Sequence, residues 1–395
     1  MRKFTDFQPW VWSVPEHFNI GVACSDRHLG TPQAQQIAMI VEDDTLGTAT
    51  ISFAELAHKT SQFAQLLRNL GVQAGDRVLI RLPNSLDYPI AFLGAMKMGA
   101  ISVPTSTLLT AEEVAYLAKD SGAKVLVTDA AAWEGMAEGL AGAPHLQHIL
   151  LSQAQQIKTH ARFNVQSLAQ SLEAIQQFDA PYVTKADDPA YLVYTSGTTG
   201  YPKGVLHAHR ALLGRQPAAQ YWFNYSDAQQ DRIMHSGKFN WTYVLGTGLM
   251  DPLYMGKTVI VHEGKNDAQK WLELIRKHAA TIFIGVPTIY RQILQKTSAE
   301  NNALPSMRHF MSAGEHLSDE VLTQWHERFG LNIYEAVGMS EFSYYLSQSV
   351  HRPIRPGSAG FPQPGHNIRL LNPETMEEVA EGEEGMICVP DTDPG

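Results

Sequence analysis

"YTSGTTGYPKGVLHAHR" runs from Tyr194 to Arg210, and its reading decides the rest. Between Tyr194 and Gly204 lie three glycines, four serine or threonine hydroxyls and one lysine. A stretch so polar and pliable does not form the middle of a helix or strand. It leaves the apolar run "AYLVY" (Ala190–Tyr194), which reads as a strand. Three explanations compete for it. The first is a surface loop without a task. The second is a Walker-type phosphate loop, which needs Gly-Lys-Ser/Thr opening a helix. Here Lys203 follows Pro202 and precedes Gly204, so no hydroxyl follows the lysine and the proline disfavours helical geometry before it. The third rests on further blocks of sequence. A hydrolase nucleophile elbow fails as well, because "GMSEF" places Phe342 where Gly-x-Ser-x-Gly needs its second glycine.

On both sides of this loop, strand-like and helix-like runs alternate. "TISFAELAHKTSQFAQLLRNLG" begins with a capping box, Ser52 and Glu55, carries Phe53, Leu56, Phe63, Leu66, Leu67 and Leu70 at helical spacing, and stops at Gly71. A second box, Thr110 and Glu113, opens "TAEEVAYLAKDSG". "RVLIRL", "AISVPTS" and "KVLVTD" read as strands, with "SLDYPIAFLGAMKMG" as a helix between the first two. Residues 151–185 are weaker in pattern and read as a mixed helix that bridges two such sheets. Beyond the loop, "KTVIV", "TIFIGV", "RHFMSAG" and "NIYEAVG" are expected strands. "DAQKWLELIRKHA", "PTIYRQILQKT" and "SDEVLTQWHERFG" are expected helices. This alternation implies crossover units and a mostly parallel α/β architecture. The last fifty residues turn rich in proline and glycine and read as hairpins.

The 395 residues exceed one ordinary core, so several subdomains are expected. A net charge of −10 argues against a general nucleic-acid or anionic-membrane binder, while leaving room for one local anion site. Two cysteines, Cys24 and Cys388, make neither a disulfide framework nor a zinc cluster. No secretory leader and no apolar span of roughly eighteen residues is read, so the expectation is a cytoplasmic, soluble protein. His207 and His209 share a strand face, and without other ligands in register they read as structural or surface histidines.

"YTSGTTGYPKGVLHAHR" closely resembles the signature of the adenylate-forming, AMP-binding enzymes, which include acyl-CoA synthetases. Four further blocks match in order. "FIGVPTIY" (Phe283–Tyr290) is similar to the substrate-side segment and "SAGEHL" (Ser312–Leu317) to the adenine-side turn. "YEAVGMSE" (Tyr334–Glu341) is similar to the Tyr-Gly-x-Thr-Glu motif, and "PGSAGFPQPGHNIRLLN" to the block leading out of the large domain. The resemblance implies the acyl-CoA synthetase fold, with ATP, Mg2+ and coenzyme A as cofactor and co-substrates. It implies that Thr195, Ser196, Gly197, Thr198, Thr199, Gly200 and Lys203 wrap the ATP phosphates through amides, hydroxyls and one ammonium. It places Ala313, Gly314, Glu315, Glu335 and Val337 around the nucleotide. Ser340 then meets the α-phosphate, in place of the usual threonine, and Glu341 holds Mg2+. Lys203, Ser340 and Glu341 are the expected catalytic set. Many relatives stack a tyrosine on adenine where Val337 stands, and this departure resembles the benzoate-type ligases.

The acyl pocket is expected around Trp241, Tyr243, Val286, Ala336 and Gly338. Many acyl-CoA synthetases carry histidine where Trp241 stands, and a flat indole there narrows the pocket and offers a face to a ring. "EFSYYLSQ" also resembles the benzoate-type ligases, whereas "VPEHFNIG" resembles medium-chain and acetate-type synthetases. The expected reaction is ATP-dependent activation of a benzoate-like aromatic or alicyclic acid to acyl-adenylate and then acyl-CoA. A short- to medium-chain fatty acid is the alternative substrate, and a non-catalytic nucleotide- or acyl-binding module the alternative of another class. The expected layout is a first α/β subdomain with an N-terminal extension over 1–180, a second over 181–345 and a β-rich, barrel-like subdomain over 346–395. Family members continue into an Arg-Thr-Gly-Asp motif and a C-terminal lid domain. Neither is read here, so the chain is expected to be the large N-terminal region alone, with little full activity. A homodimer is left open.

Overall fold

The computed structural model describes residues 9–154, 156–195, 201–300 and 303–395. The chain folds as two compact units. The larger holds Pro15–His209 and Gln230–Asp267; the smaller holds Met1–Val14, Arg210–Gln229 and Ala268–Gly395.

In the larger unit, β1 (Ile37–Asp43) and β2 (Gly47–Ser52) form a hairpin. The strands β3 (Arg77–Arg81), β4 (Ile101–Pro104), β5 (Val125–Asp129), β6 (His148–Ser152), β7 (Asn164–Ser167), β8 (Pro189–Thr195) and β9 (Lys203–Ala208) form one sheet. Its order is β7-β6-β5-β3-β4-β8-β9, parallel throughout except that β9 runs back along β8. Two further strands, β10 (Arg232–His235) and β11 (Thr258–Glu263), lie parallel beside β1 in the order β10-β11-β1-β2.

The local sequence explains these elements. Both expected capping boxes form: Ser52 caps the helix Phe53–Asn69, Thr110 caps the helix Ala111–Ser121, and Glu55 and Glu113 bond back to the cap residues. Gly122 ends the second helix at a φ of 63°, a left-handed turn that suits glycine. Val114, Leu117 and Ala118 of that helix pack with Leu79, Leu126, Ile149 and Trp133 in one core cluster. Lys97 is buried on the helix Asp87–Lys97. Its Nζ lies 2.6 Å from the Asp26 carboxylate and also bonds Ala57 O, Thr60 and Ser61, so the charge is compensated rather than stranded. The bridging segment differs from expectation. Its helix shrinks to Leu168–Glu173, because few apolar residues recur there at helical spacing and β7 takes up part of the chain.

In the smaller unit, β12 (Ile282–Gly285), β13 (His309–Ser312) and β14 (Ile333–Val337) run parallel. The short β15 (Leu346–Ser347) and β16 (Phe361–Pro362) continue the order antiparallel. The expected hairpin near the end is a two-stranded ribbon of β17 (Arg369–Leu371) and β18 (Met386–Cys388). Trp325 packs edge-on against Tyr290 and Phe310, which fastens the helices Pro287–Lys296 and Asp319–Phe329 to the strands. Near the N-terminus, Trp12 donates its indole N–H to Gly365 O. Gly365 sits at φ 87° between Trp10 and Trp12, where a Cβ would come within 2.6 Å of Trp10. Among the described residues, no helix is long and apolar enough to cross a membrane.

Candidate active site

The expected site segments lie at or follow the carboxyl ends of parallel strands, the edge at which open α/β sheets bind ligands. In the larger unit these ends belong to β8 and β10; in the smaller unit, to β12, β13 and β14.

At β8, Thr195 pairs in register with Lys203 on β9, and Tyr194 with Gly204. The glycine-rich connection therefore joins two hydrogen-bonded strands rather than a strand and a helix. Pro202 and Gly204, flanking the lysine, suit this hairpin. Lys203 is exposed. Ser196, Gly197, Thr198, Thr199 and Gly200 lie outside the described residues. His207 stacks on Tyr191, with ring centroids 4.5 Å apart, and His209 accepts the Ile20 N–H at 3.0 Å. Among the described residues no group of three or more His, Cys, Asp or Glu is placed to hold a metal.

Beyond β10 the chain carries Trp241 and Tyr243. Their rings meet edge-on at 5.2 Å, and Tyr243 meets buried His235 edge-on at 5.1 Å. The hydrogen bonds assign the tautomer of His235. Nδ1 accepts the Gly237 N–H at 2.9 Å, and the Thr247 hydroxyl is committed as donor to Tyr243 O at 2.7 Å. Nε2, 3.0 Å from that hydroxyl, is therefore the protonated nitrogen of a neutral ring. Burial holds its pKa down at about 3. Burial likewise raises the Tyr243 phenol, so it stays protonated. Trp241 is 40 % exposed, which leaves an indole face open to a ligand.

In the smaller unit, β12, β13 and β14 align Gly285 with Ser312 and Ser312 with Glu335. Val286 and Ala313, which follow, and Ala336, next along β14, therefore stand at the same edge. Gly314 turns the chain at φ 92° after β13. Glu315 then accepts the Thr288 hydroxyl at 2.9 Å, which joins two of the sequence blocks. Glu335 accepts the Leu317 N–H at 3.1 Å, and burial raises its carboxyl pKa. A cavity of about 380 Å3 lies here, lined by Gly314, Glu315, Glu335, Ala336, Val337 and Gly338, with His316, Gly357 and Ala359 completing the wall. The last three were not anticipated; His316 sits inside the quoted "SAGEHL", but no spacing marked it. Beyond β14, Gly338 passes so close to Ser343 that a Cβ would come within 2.7 Å of its carbonyl oxygen. Met339 N–H donates to Phe342 O at 3.0 Å, and this tight turn carries Ser340, half-buried, and Glu341, exposed. A single exposed carboxylate fits magnesium, which takes one or two carboxylates together with water and substrate phosphate oxygens.

Residues 29–392 match the family model described as "AMP-binding enzyme". The chain is 30% identical over 373 residues to a 4-hydroxybenzoate–CoA/benzoate–CoA ligase of Rhodopseudomonas palustris, covering 94% of this chain and 67% of that protein. It is 30% identical to a benzoate–CoA ligase of Thauera aromatica, covering 96% and 70%. A crystal structure of an anthranilate CoA ligase in complex with anthranoyl-AMP superposes with a TM-score of 0.84 at 26% identity, covering 99% of this chain and 72% of that one.

Proposed function

The chain belongs to the AMP-binding enzyme family, and from that premise we propose that it activates a compact aromatic or alicyclic carboxylate with ATP, forming an acyl-adenylate on the way to a CoA thioester. The observation that carries this reading is the cavity at the ends of β13 and β14, where the adenine-side turn and the motif ending in Glu341 come together in one unit. Acid and ATP are both anionic, so approach of the carboxylate to the α-phosphate needs local donors on a chain of net charge −10. Lys203 and Thr195 serve the β- and γ-phosphates, with Ser196, Gly197, Thr198, Thr199 and Gly200 between them. Ser340 donates to the α-phosphate, and Ala313, Gly314, Glu315, Glu335 and Val337 surround the nucleotide. Magnesium, taken up by Glu341, supplies neutralisation of phosphate charge when bound. The proposed acyl-contacting residues are Trp241 and Tyr243 in the larger unit and Val286, Ala336 and Gly338 in the smaller. The names of the aromatic-acid ligases among the relatives support the substrate class.

The test is incubation with MgATP, CoA and a panel of benzoates, cyclohexanecarboxylate and C4–C10 fatty acids, with AMP, acyl-adenylate and acyl-CoA read by mass spectrometry. Cyclic acids are expected to give the highest acid-dependent AMP and acyl-adenylate. A ranking led by fatty acids overturns the substrate class. Nucleotide binding without any acid-dependent product places the chain among non-catalytic binding modules instead.

A further inference from the structure

We propose that Tyr116 and Tyr201 form a positioning pair for Lys203, through which the helix Ala111–Ser121 grips both stems of the glycine-rich connection. This rests on the phosphate-binding reading of that connection. Tyr116 and Asp120 are four residues apart and so share a helix face. Tyr116 stacks on Tyr201, with centroids 5.2 Å apart and planes at 26°, and its hydroxyl donates to Pro202 O at 3.4 Å. Asp120 accepts the Tyr194 hydroxyl at 2.6 Å. One helix face therefore holds the residue before Thr195 on the outgoing stem and the two residues before Lys203 on the returning stem.

Burial does not explain Tyr201, which is 69 % exposed. The stack is what holds a large ring in that place. The helix behind it is rigid, because its first turn is capped by Thr110 and its inner face lies in the core cluster. On the paired strand β9, Gly204 passes so near Leu192 of β8 that a Cβ would come within 2.9 Å of its side chain. The Lys203 backbone is thus held by the stacked tyrosine two residues before it and by its pairing with Thr195 on β8, while its exposed side chain can reach an anion. A flexible ammonium binds better when its root is held, since less freedom is lost on binding.

The test uses Tyr201→Ala, Tyr116→Ala and Tyr201→Phe beside the parent chain. Hydrogen exchange of the amides in 201–206, measured without nucleotide, is expected to quicken in both alanine variants and stay at parent level in the phenylalanine variant. The Kd for MgATP is expected to rise about three- to tenfold in the alanine variants and to be restored by phenylalanine, with melting temperatures unchanged. Alanine variants that exchange and bind like the parent overturn the proposal, as does weakened binding that phenylalanine fails to rescue while the melting temperature falls. A parent chain that binds no MgATP defeats the phosphate-binding reading instead, and the exchange arm still decides whether the pair holds the stem.

Discussion

Lys203 lies on β9 opposite Thr195, and this register places it at the mouth of a hairpin rather than on a helix. In the proposed phosphate role of Lys203, replacement with Ala removes a charge-assisted donor to a triphosphate. The Kd for MgATP is expected to rise tenfold or more, which corresponds to roughly 1.5–3 kcal/mol. Titration calorimetry checks this, and an unchanged Kd contradicts the phosphate role. Trp241 sits edge-on to Tyr243 with much of its indole in solvent, so its ring is not there to fill a core. Trp241→Ala is expected to move preference toward bulkier acids, with discrimination changing by about 1–3 kcal/mol, and to leave melting nearly unchanged. An acid panel ranked as in the parent shows that the indole is not part of the pocket. Residue types at these positions were legible because they depart from what a core or a plain loop would carry. His235 was not: its meaning comes from Gly237 and Thr247, which only the fold brings to its two nitrogens.

At the scale of elements, the turn after β14 depends on a missing side chain. Gly338→Ala drives a methyl toward the Ser343 carbonyl, so the turn that presents Ser340 and Glu341 must shift. A loss of about 1–3 kcal/mol in stability is expected, with adenylate formation reduced more than the fold. Denaturant unfolding and the acid-dependent AMP assay measure the two parts, and an unaltered turn would leave both at parent values. The capped helices were legible from four residues each, since a capping box is a local device with its own hydrogen bonds. The return of β9 along β8 was not legible as such. Lys203, Gly204 and Leu206 are exposed on β9, so the strand lacks the strong apolar alternation that marks a half-buried one. The Thr288–Glu315 and Tyr194–Asp120 bonds were also hidden, because they join positions 27 and 74 residues apart whose meeting is set by strand register.

Over the whole molecule, acid sensitivity follows from two buried histidines. Burial lowers His235 to about 3 and His209 to about 4, below the ordinary value of 6.5. The native state therefore binds fewer protons than the unfolded chain between these values. Their stabilising effect is complete above about pH 6.5 and is lost as pH falls toward 4 and then 3. Each contributes a slope of about 1.4 kcal/mol per pH unit inside its window. His209→Gln is expected to flatten the decline of melting temperature between pH 6.5 and 4, and a slope equal to the parent's removes His209 from the account. The α/β class was legible from alternation and the family from five blocks, while the way those blocks sit at strand ends had to come from the sheets. The central claim is that these blocks serve one acyl-adenylate of a cyclic acid. It is tested most directly by titrating the chain with a non-hydrolysable benzoyl-adenylate, which reads the site without requiring turnover. The account predicts binding at least tenfold tighter than AMP alone and tighter than the matching octanoyl-adenylate. Equal affinity for benzoyl-adenylate and AMP, or preference for the octanoyl form, would contradict it.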